Sequence, residues 1–532
     1  MKFLRRHRWW ILCLIIGVSA AIVWAIQVRG WHITHPARDI RLAGGLINLF
    51  VYGWIRCCTD FSLTRQAVIV IALIAIQGVC VSLLRVDGYH GDGRLIMKWK
   101  WQPTPEQRLA DFQRQSSSAI QSGADAILSP ESSEVRLPDF SIPQSTDSAS
   151  FRGNDGSGRY QSPGLITDWD ARPPKELWRR PVGQAWSSFA VANGFCVTQE
   201  IRDEQEAVVC YDLEDGREVW VQRVDEVFEE VTSGRGPRST PAIHDGNVYA
   251  LSSLGKLYCL RGVDGDPVWT RDLCVPDIKP NLFGFCGSPL IHGESGYVML
   301  GGSHGSIVAV NRSTGDVQWK KGERRGSYSS TVLFQEDGQT TIVIHDAVGL
   351  FAYDDITGER LCEFEWGRDS EEQINACQPA IVDEQHILLS SGYGVGSALV
   401  RIERQDDTQW SASEVWRTIQ LKSKFQSIIV LDGFAYGLDE GILTCIDLKT
   451  GKRTWKKGRH RYGQLIMVND VLVIQNEPGD VSVVAANPSK YEVIATIPAL
   501  DDRTWSHPVI ADGRLLVRNN REAVCFELPT SP

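Results

Sequence analysis

The residues with reactive side chains are numerous but poorly grouped. Thirteen Cys and eleven His occur in 532 residues, yet no Cys-x-x-Cys or His-Glu-x-x-His run is present. A zinc centre or a dithiol pair of the common kinds is therefore not expected. His244 and His292 fall in equivalent turns rather than at ligand spacing. Cys57 and Cys58 are the one adjacent thiol pair, and they sit in an apolar stretch far from the other cysteines. The glycine run beginning at Gly392 (GYGVG) lacks the strand-to-helix context of a phosphate loop and reads as an irregular hairpin. No catalytic, metal-binding or cofactor-binding residue is expected.

The elements that would position any site are clearer. From Ser239 to Trp269 three alternating strands, TPAI, NVYAL and KLYCL, are divided by the turn signals HDG and SSLG, and a VDG turn leads to a fourth segment carrying Trp269. That is a four-stranded antiparallel sheet. Its second half returns as CYDLEDGREVW ending at Trp220, AVNRSTGDVQW at Trp319 and CIDLKTGKRTW at Trp455, with a stretched copy at Trp416, a copy ending in Cys362 and a worn one at Val493. Four strands repeating every 38 to 54 residues predict an all-β fold, a β-propeller. ELW ends one more copy at Trp178, and the three strands it lacks stand at the far end of the chain between His507 and Leu528. The spacing therefore predicts eight blades, the last closed by an N-terminal outer strand.

The repeat pattern A-x-D-x-x-T-G-x-x-x-W resembles that of the pyrroloquinoline-quinone-type propellers, over about Phe151 to Pro529. That family holds quinoprotein alcohol dehydrogenases and non-enzymatic scaffold proteins such as BamB. The resemblance implies that an enzyme of this type would hold its quinone under an adjacent-cysteine disulfide, with acidic and amide ligands to calcium, an Asp base and a Trp floor. The adjacent pair here lies outside the propeller. The resemblance thus implies no enzyme and no cofactor, but a protein-binding or scaffold module in the cell envelope. A quinone-dependent dehydrogenase and a cytoplasmic-facing interaction propeller are the alternatives.

Net charge is −10, and Lys and Arg are spread through the repeats, so nucleic acid is not an expected partner. Cys210, Cys259 and Cys445 share one small-residue position in different blades, which argues for buried free thiols rather than disulfides.

Ahead of the repeats, residues 1–100 read as an anchor in the inner membrane. Segments 9–28 and 65–84 are long and apolar enough to span a bilayer. A shorter segment within 42–58, ending in Tyr52 and Trp54, makes the count two or three. Two spans return the propeller to the cytoplasm; three place it on the periplasmic side, the arrangement the aromatic belt favours. Residues 101–150, rich in Ser, Gln and Pro, read as a flexible linker, and 151–532 as the propeller.

Within the propeller, Trp178, Trp220, Trp269, Trp319, Trp416 and Trp455 are expected to wedge between blades. Residues just before each first strand, Trp186, Arg238, Phe285, Tyr328, Asn375, Lys424, Tyr462 and Trp505, are expected to line one mouth of the central channel and to meet a protein partner there.

Overall fold

A computed structural model describes residues 61–124 and 136–531, apart from 231, 275–279, 302–304, 337, 367–373 and 406–409, together with Tyr52 and Ile55. The expected span 9–28, most of the segment 42–58 and the Cys57-Cys58 pair lie outside the described residues. The chain divides into two compact units, 1–104 with 231–234, and 105–230 with 235–532.

In the first unit, helix α1 (Leu63–Ser82) starts at Ser62, whose hydroxyl accepts from the Arg65 amide. It is long and apolar enough to cross a membrane. Leu63, Val68, Ile71, Ile74, Ile76, Val79 and Val81 all stand exposed on it. A helix apolar all round suits lipid rather than water. A short hairpin follows, Leu84–Tyr89 against Leu95–Trp99.

The second unit is an eight-bladed propeller. Blades 1 to 7 run in chain order. Blade 1 begins at Ala190–Ala192 and ends at Glu218–Glu226; the outer strands of blades 2 to 7 are Pro267–Asp272, Val317–Lys321, Arg360–Glu365, Trp410–Thr418, Arg453–Arg459 and Val493–Ile497. Blade 8 takes its three inner strands from Val509–Ala511, Arg514–Arg518 and Glu522–Glu527, and its outer strand from Lys175–Pro181, with Cys525 opposite Trp178. The last blade is thus built from both ends of the chain, as the spacing predicted. Among the described residues every cysteine is free.

The seams follow one rule. Five of the six repeat Trp lay their rings on the glycine of the next blade's outer turn: Trp178 on Gly216, Trp220 on Gly265, Trp269 on Gly315, Trp319 on Gly358 and Trp416 on Gly451. The indole also donates to a carbonyl of that turn, Trp178 to Leu213, Trp220 to Gly262, Trp269 to Arg312 and Trp416 to Leu448, at 2.7–3.0 Å. Trp455 donates likewise to Asn487 of blade 7. Only a residue without Cβ admits the ring so close. At Gly315, with φ +73°, an added Cβ would lie 2.6 Å from Trp269. Gly315→Ala is therefore expected to destabilise by about 2–4 kcal/mol in a denaturant titration. Gly246, with φ +77° but open space around it, should lose only about 1–2 kcal/mol as Ala.

Two seams lack the repeat Trp, and each lacks its receiving turn as well. In blade 5 the third and fourth strands stay paired as far as Arg404 and Trp410, past the place where the other blades turn. In blade 8 the corresponding link is the break between the two chain ends. Cys362 and Ala495 thus stand where an indole would have no turn to meet; the expected Val493 lies two residues early, opposite Val484 on the far side of the bulge. Other tryptophans fill these places: Trp410 packs with Cys362, Trp366 and Val400 between blades 4 and 5, and Trp169 packs with Ile497, Leu515 and Phe526 between blades 7 and 8.

Part of the expected linker is ordered. Helix α2 (Pro105–Ala124) buries Leu109, and Phe112 stacks under the Arg180 guanidinium next to the closing strand. Phe140 is buried between Phe195 and Gly262. The polar composition around Phe140 concealed it as an anchoring side chain.

The filled hub and its aromatic mouth

The innermost strands converge on the channel, and their pairing registers define equivalent positions. Ala190, Ala242, Leu290, Val332, Ala380, Ile429, Ile466 and Val509 each sit third in from the first hairpin-side pair or its equivalent. Two residues before them runs a ring of hydroxyls that ties blade to blade. The Ser188 amide donates to Thr240 Oγ1, Thr240 to Ser288 Oγ, and Ser288 to Ser330 Oγ, at 2.9–3.0 Å. Ser188 Oγ donates to the His507 carbonyl at 2.6 Å, carrying the ring into blade 8. This use of the Ser-Ser, Ser-Thr and Gly-Ser pairs was not anticipated.

Two residues further back lies the mouth. The equivalent positions are Trp186, Arg238, Cys286, Tyr328, Ala376, Phe425, Tyr462 and Trp505. Three of the expected mouth residues, Phe285, Asn375 and Lys424, were therefore placed one residue early, because the loops before the first strands vary in length. Phe285 is core, packed with Leu251, Leu257 and Leu273. Asn375 is fully buried and donates its amide to the Asp346 carbonyl at 2.8 Å. Lys424 still reaches the mouth through its long side chain.

Half of the mouth is a continuous aromatic array. Ring centroids are 4.8 Å apart for Trp186 and Trp505, 5.2 Å for Trp505 and Phe425, and 6.0 Å for Phe425 and Tyr462. Phe425 belongs to blade 6 and Trp505 to blade 8, so these rings meet across the inner end of blade 7. The Arg503 guanidinium covers both Trp186 and Trp505, at 4.8 and 4.4 Å. Lys424 Nζ stands over Tyr462 and Tyr393, at 4.4 and 4.9 Å, and 3.5 Å from Glu440. The Trp505 indole donates to Glu477 at 3.0 Å. Opposite, Arg238 faces Phe228 and pairs with Glu230 at 3.6 Å, while Phe283 packs on Tyr328. Tyr393, Phe425, Arg503, Phe228 and Phe283 were missed from sequence. Counting back from the paired strands would have found Phe425. Tyr393, 52% exposed, stands out from the rim on a left-handed backbone, φ 56°.

Below the aromatics the channel holds the lead-in segment. Ser148 pairs with Val191 of blade 1, and the Ala149 carbonyl accepts from Ile243 of blade 2. Phe151 meets His507 of blade 8 edge-on at 4.8 Å. Arg152 donates to the Ile428 carbonyl of blade 6 at 2.9 Å, and Gln378 of blade 5 donates to the Gly156 carbonyl at 3.3 Å. Arg159–Tyr160 then adds a parallel fifth strand to the inner edge of blade 7. Burial lowers the Arg152 guanidinium to about 10 and raises the Tyr160 phenol to about 12.

Near the mouth Glu206 is fully buried and accepts from the Ser253 amide at 3.0 Å. Burial raises its carboxyl to about 7, outweighing the Ser253 hydrogen bonds and Arg238. A carboxyl raised in the folded state holds its proton where the unfolded chain has lost it. The contribution of Glu206 to stability should therefore fall as pH rises from about 4.5 to about 7 and then level off. Glu206→Gln is expected to remove that decline, a gain of about 3 kcal/mol at pH 8, read from melting curves across pH.

The family described as outer membrane protein assembly factor BamB matches residues 162–348 and, overlapping, 230–457. The chain belongs to the BamB family of pyrroloquinoline-quinone-like repeat propellers. BamB of Yersinia pestis is 23% identical over 347 residues, 60% of this chain and 79% of that protein. A quinoprotein ethanol dehydrogenase of Pseudomonas aeruginosa is 32% identical over 142 residues, 24% of this chain, and the match spans only 22% of the dehydrogenase. In fold, BamB from Moraxella catarrhalis gives a TM-score of 0.50 at 15% identity, covering 67% of this chain and 98% of that one. Quinohemoprotein alcohol dehydrogenase from Pseudomonas putida gives 0.53 at 13% identity, covering 73% and 81%.

The BamB family shares its architecture with quinone enzymes, so the hub must be asked whether it fits that cofactor. It does not. Rings of blades 6 and 8 are in contact across one end of the channel, and the lead-in fills the next layer down. Among the described residues no group of three or more His, Cys, Asp or Glu side chains is arranged to hold a metal ion.

Proposed function

We propose that this BamB-family propeller is a non-enzymatic scaffold, tethered to the cell-envelope membrane by its N-terminal segment, which binds a protein partner at the aromatic mouth. The observation that carries this reading is the filled hub: Trp505 and Phe425 meet from non-neighbouring blades, and Arg159–Tyr160 lines the inner edge of blade 7. A ring packed in this way is rigid and offers its rim and faces, not its axis. Tyr393 and the half-exposed Trp505 and Lys424 give that rim aromatic and cationic groups of the kind that anchor protein interfaces. The match to BamB over most of BamB's length supports a scaffold role, and the apolar helix α1 supports a membrane tether. Placement of the propeller on the periplasmic side is part of the same proposal.

A photo-crosslinking side chain at Tyr393 in native membranes tests it. A discrete adduct with one envelope protein, abolished by Trp505→Ala in a chain that still melts cooperatively, is the expected result. An adduct unchanged by Trp505→Ala, or none at Tyr393 alongside one at the outer turns, would remove the mouth as the binding site.

A further inference from the structure

Cations on the outer strands of this propeller are, as a rule, held by a carboxylate of the same face. Arg179 pairs with Glu176, Arg271 with Asp316, Arg360 with Glu363 and Arg417 with Glu414, each at 2.8 Å. Blade 6 departs from this. From Lys449 to Arg461 its outer turn and outer strand carry Lys449, Lys452, Arg453, Lys456, Lys457, Arg459 and Arg461, and no Asp or Glu occurs from Leu448 to Asn469. Lys456 pairs with the buried Asp439 at 2.9 Å. The other six form no ion pair among the described residues, and Lys449, Lys452, Arg453, Lys457 and Arg459 are exposed. The even spread of Lys and Arg expected from sequence therefore breaks down here, in a chain whose net charge is −10.

Unpaired like charges repel along a strand. The stripe is not shaped for strand addition. The pairing of Arg453–Arg459 with its neighbour is interrupted by two register shifts, at Ile442/Thr444 and Cys445/Ile446, and Gly458 lies within the first. Bulges and edge lysines discourage an added strand. What remains is a diffuse cationic surface of the kind that meets phosphate headgroups. The same chain carries α1, long and apolar enough to sit in a bilayer, which would hold such a surface near lipid.

We propose that the Lys449–Arg461 edge of blade 6 docks on anionic lipid headgroups of the membrane that holds the tether. This rests on the tether of the proposed function. The full chain is placed in lipid nanodiscs, neutral or containing about 30 mol% phosphatidylglycerol, and lysines are acetylated and located by mass spectrometry. Acetylation of Lys449, Lys452 and Lys457 should slow at least about fivefold in the anionic discs, with Lys321 on blade 3 unchanged. The protection should vanish in about 0.5 M salt, where the screening length is about 4 Å. Equal rates in the two discs would overturn the proposal. So would protection produced by added polyglutamate in neutral discs but not by the anionic lipid, which would assign the stripe to an acidic protein. A chain that enters neither disc would refute the tether itself, a distinct outcome. The variant K452E/R453E/K457E, with an unchanged melting curve, should equalise labelling of Lys449 between the two discs.

Discussion

A chain that begins at Pro174, keeping the closing strand but losing the lead-in, is expected to give no cooperative melt. The closing strand Lys175–Pro181 alone satisfies the sheet edge of blade 8. It does not fill the hub or the last seam. Removing residues 136–173 takes away Phe140, Tyr160 and Trp169, all buried, and the Arg152 and Ser148 hydrogen bonds that cross the channel. Each aromatic contributes about 3–5 kcal/mol by truncation. Three of them together match the about 5–15 kcal/mol by which a native domain is stable. A chain beginning at Gln102, which keeps every one of these contacts, should melt as sharply as the full chain. If the Pro174 chain melted cooperatively within a few degrees of the Gln102 chain, the lead-in would be an appendage rather than the filling of the hub.

The second large effect belongs to the indoles. Trp319→Ala should destabilise by about 3–5 kcal/mol, because the ring fills the seam between blades 3 and 4 with Tyr297 and Tyr353 stacked beside it. Substitution by Phe separates packing from hydrogen bonding. Trp220→Phe deprives the Gly262 carbonyl of its donor, and should cost about 1 kcal/mol more than Trp319→Phe. Trp319 Nε1 makes no hydrogen bond among the described residues, and the Asp355 carbonyl in the equivalent place accepts from Tyr297 alone there. Paired denaturant titrations of the two Phe variants read the difference. Equal losses would mean that the indole hydrogen bonds add nothing to the seams.

The architecture was legible because its signals are local. A turn glycine, a Trp four residues on, and short alternating strands recur through the series, so blade number and closure by the Trp178 strand could be counted. The worn copies in blades 4 and 7 were legible as copies, the second displaced by two residues from Ala495 onto Val493, but not the reason for their wear. That reason lies in the neighbouring blade, which offers no turn for an indole to cover. Residues 136–150, with Phe140, were read as linker because so few of them are apolar. Their order comes from tertiary burial, which composition does not express.

The mouth was legible only in part. Trp186, Arg238, Tyr328, Tyr462 and Trp505 stand at the positions that strand pairing gives. Phe425 was displaced by one residue onto Lys424, and Phe285 and Asn375 likewise, since only strand pairing fixes the register there. Tyr393 and Arg503 come from other loops altogether, and no repeat pattern points to them. The cationic stripe on blade 6 was hidden for a different reason. Seven Lys and Arg stand in the thirteen residues from Lys449 to Arg461, but they fall inside a repeat copy read for its turn and its Trp, and no Asp or Glu in that stretch offsets them.

We propose that this BamB-family propeller, its hub filled by its own rings and lead-in, is a scaffold rather than a quinone enzyme. The direct measurement is an absorbance titration of the purified full chain with pyrroloquinoline quinone and calcium, followed by an assay of dye reduction with primary alcohols. The account predicts no saturable bound chromophore and no alcohol-dependent reduction. One equivalent of tightly held quinone, with dye reduction that tracks its occupancy, would contradict it.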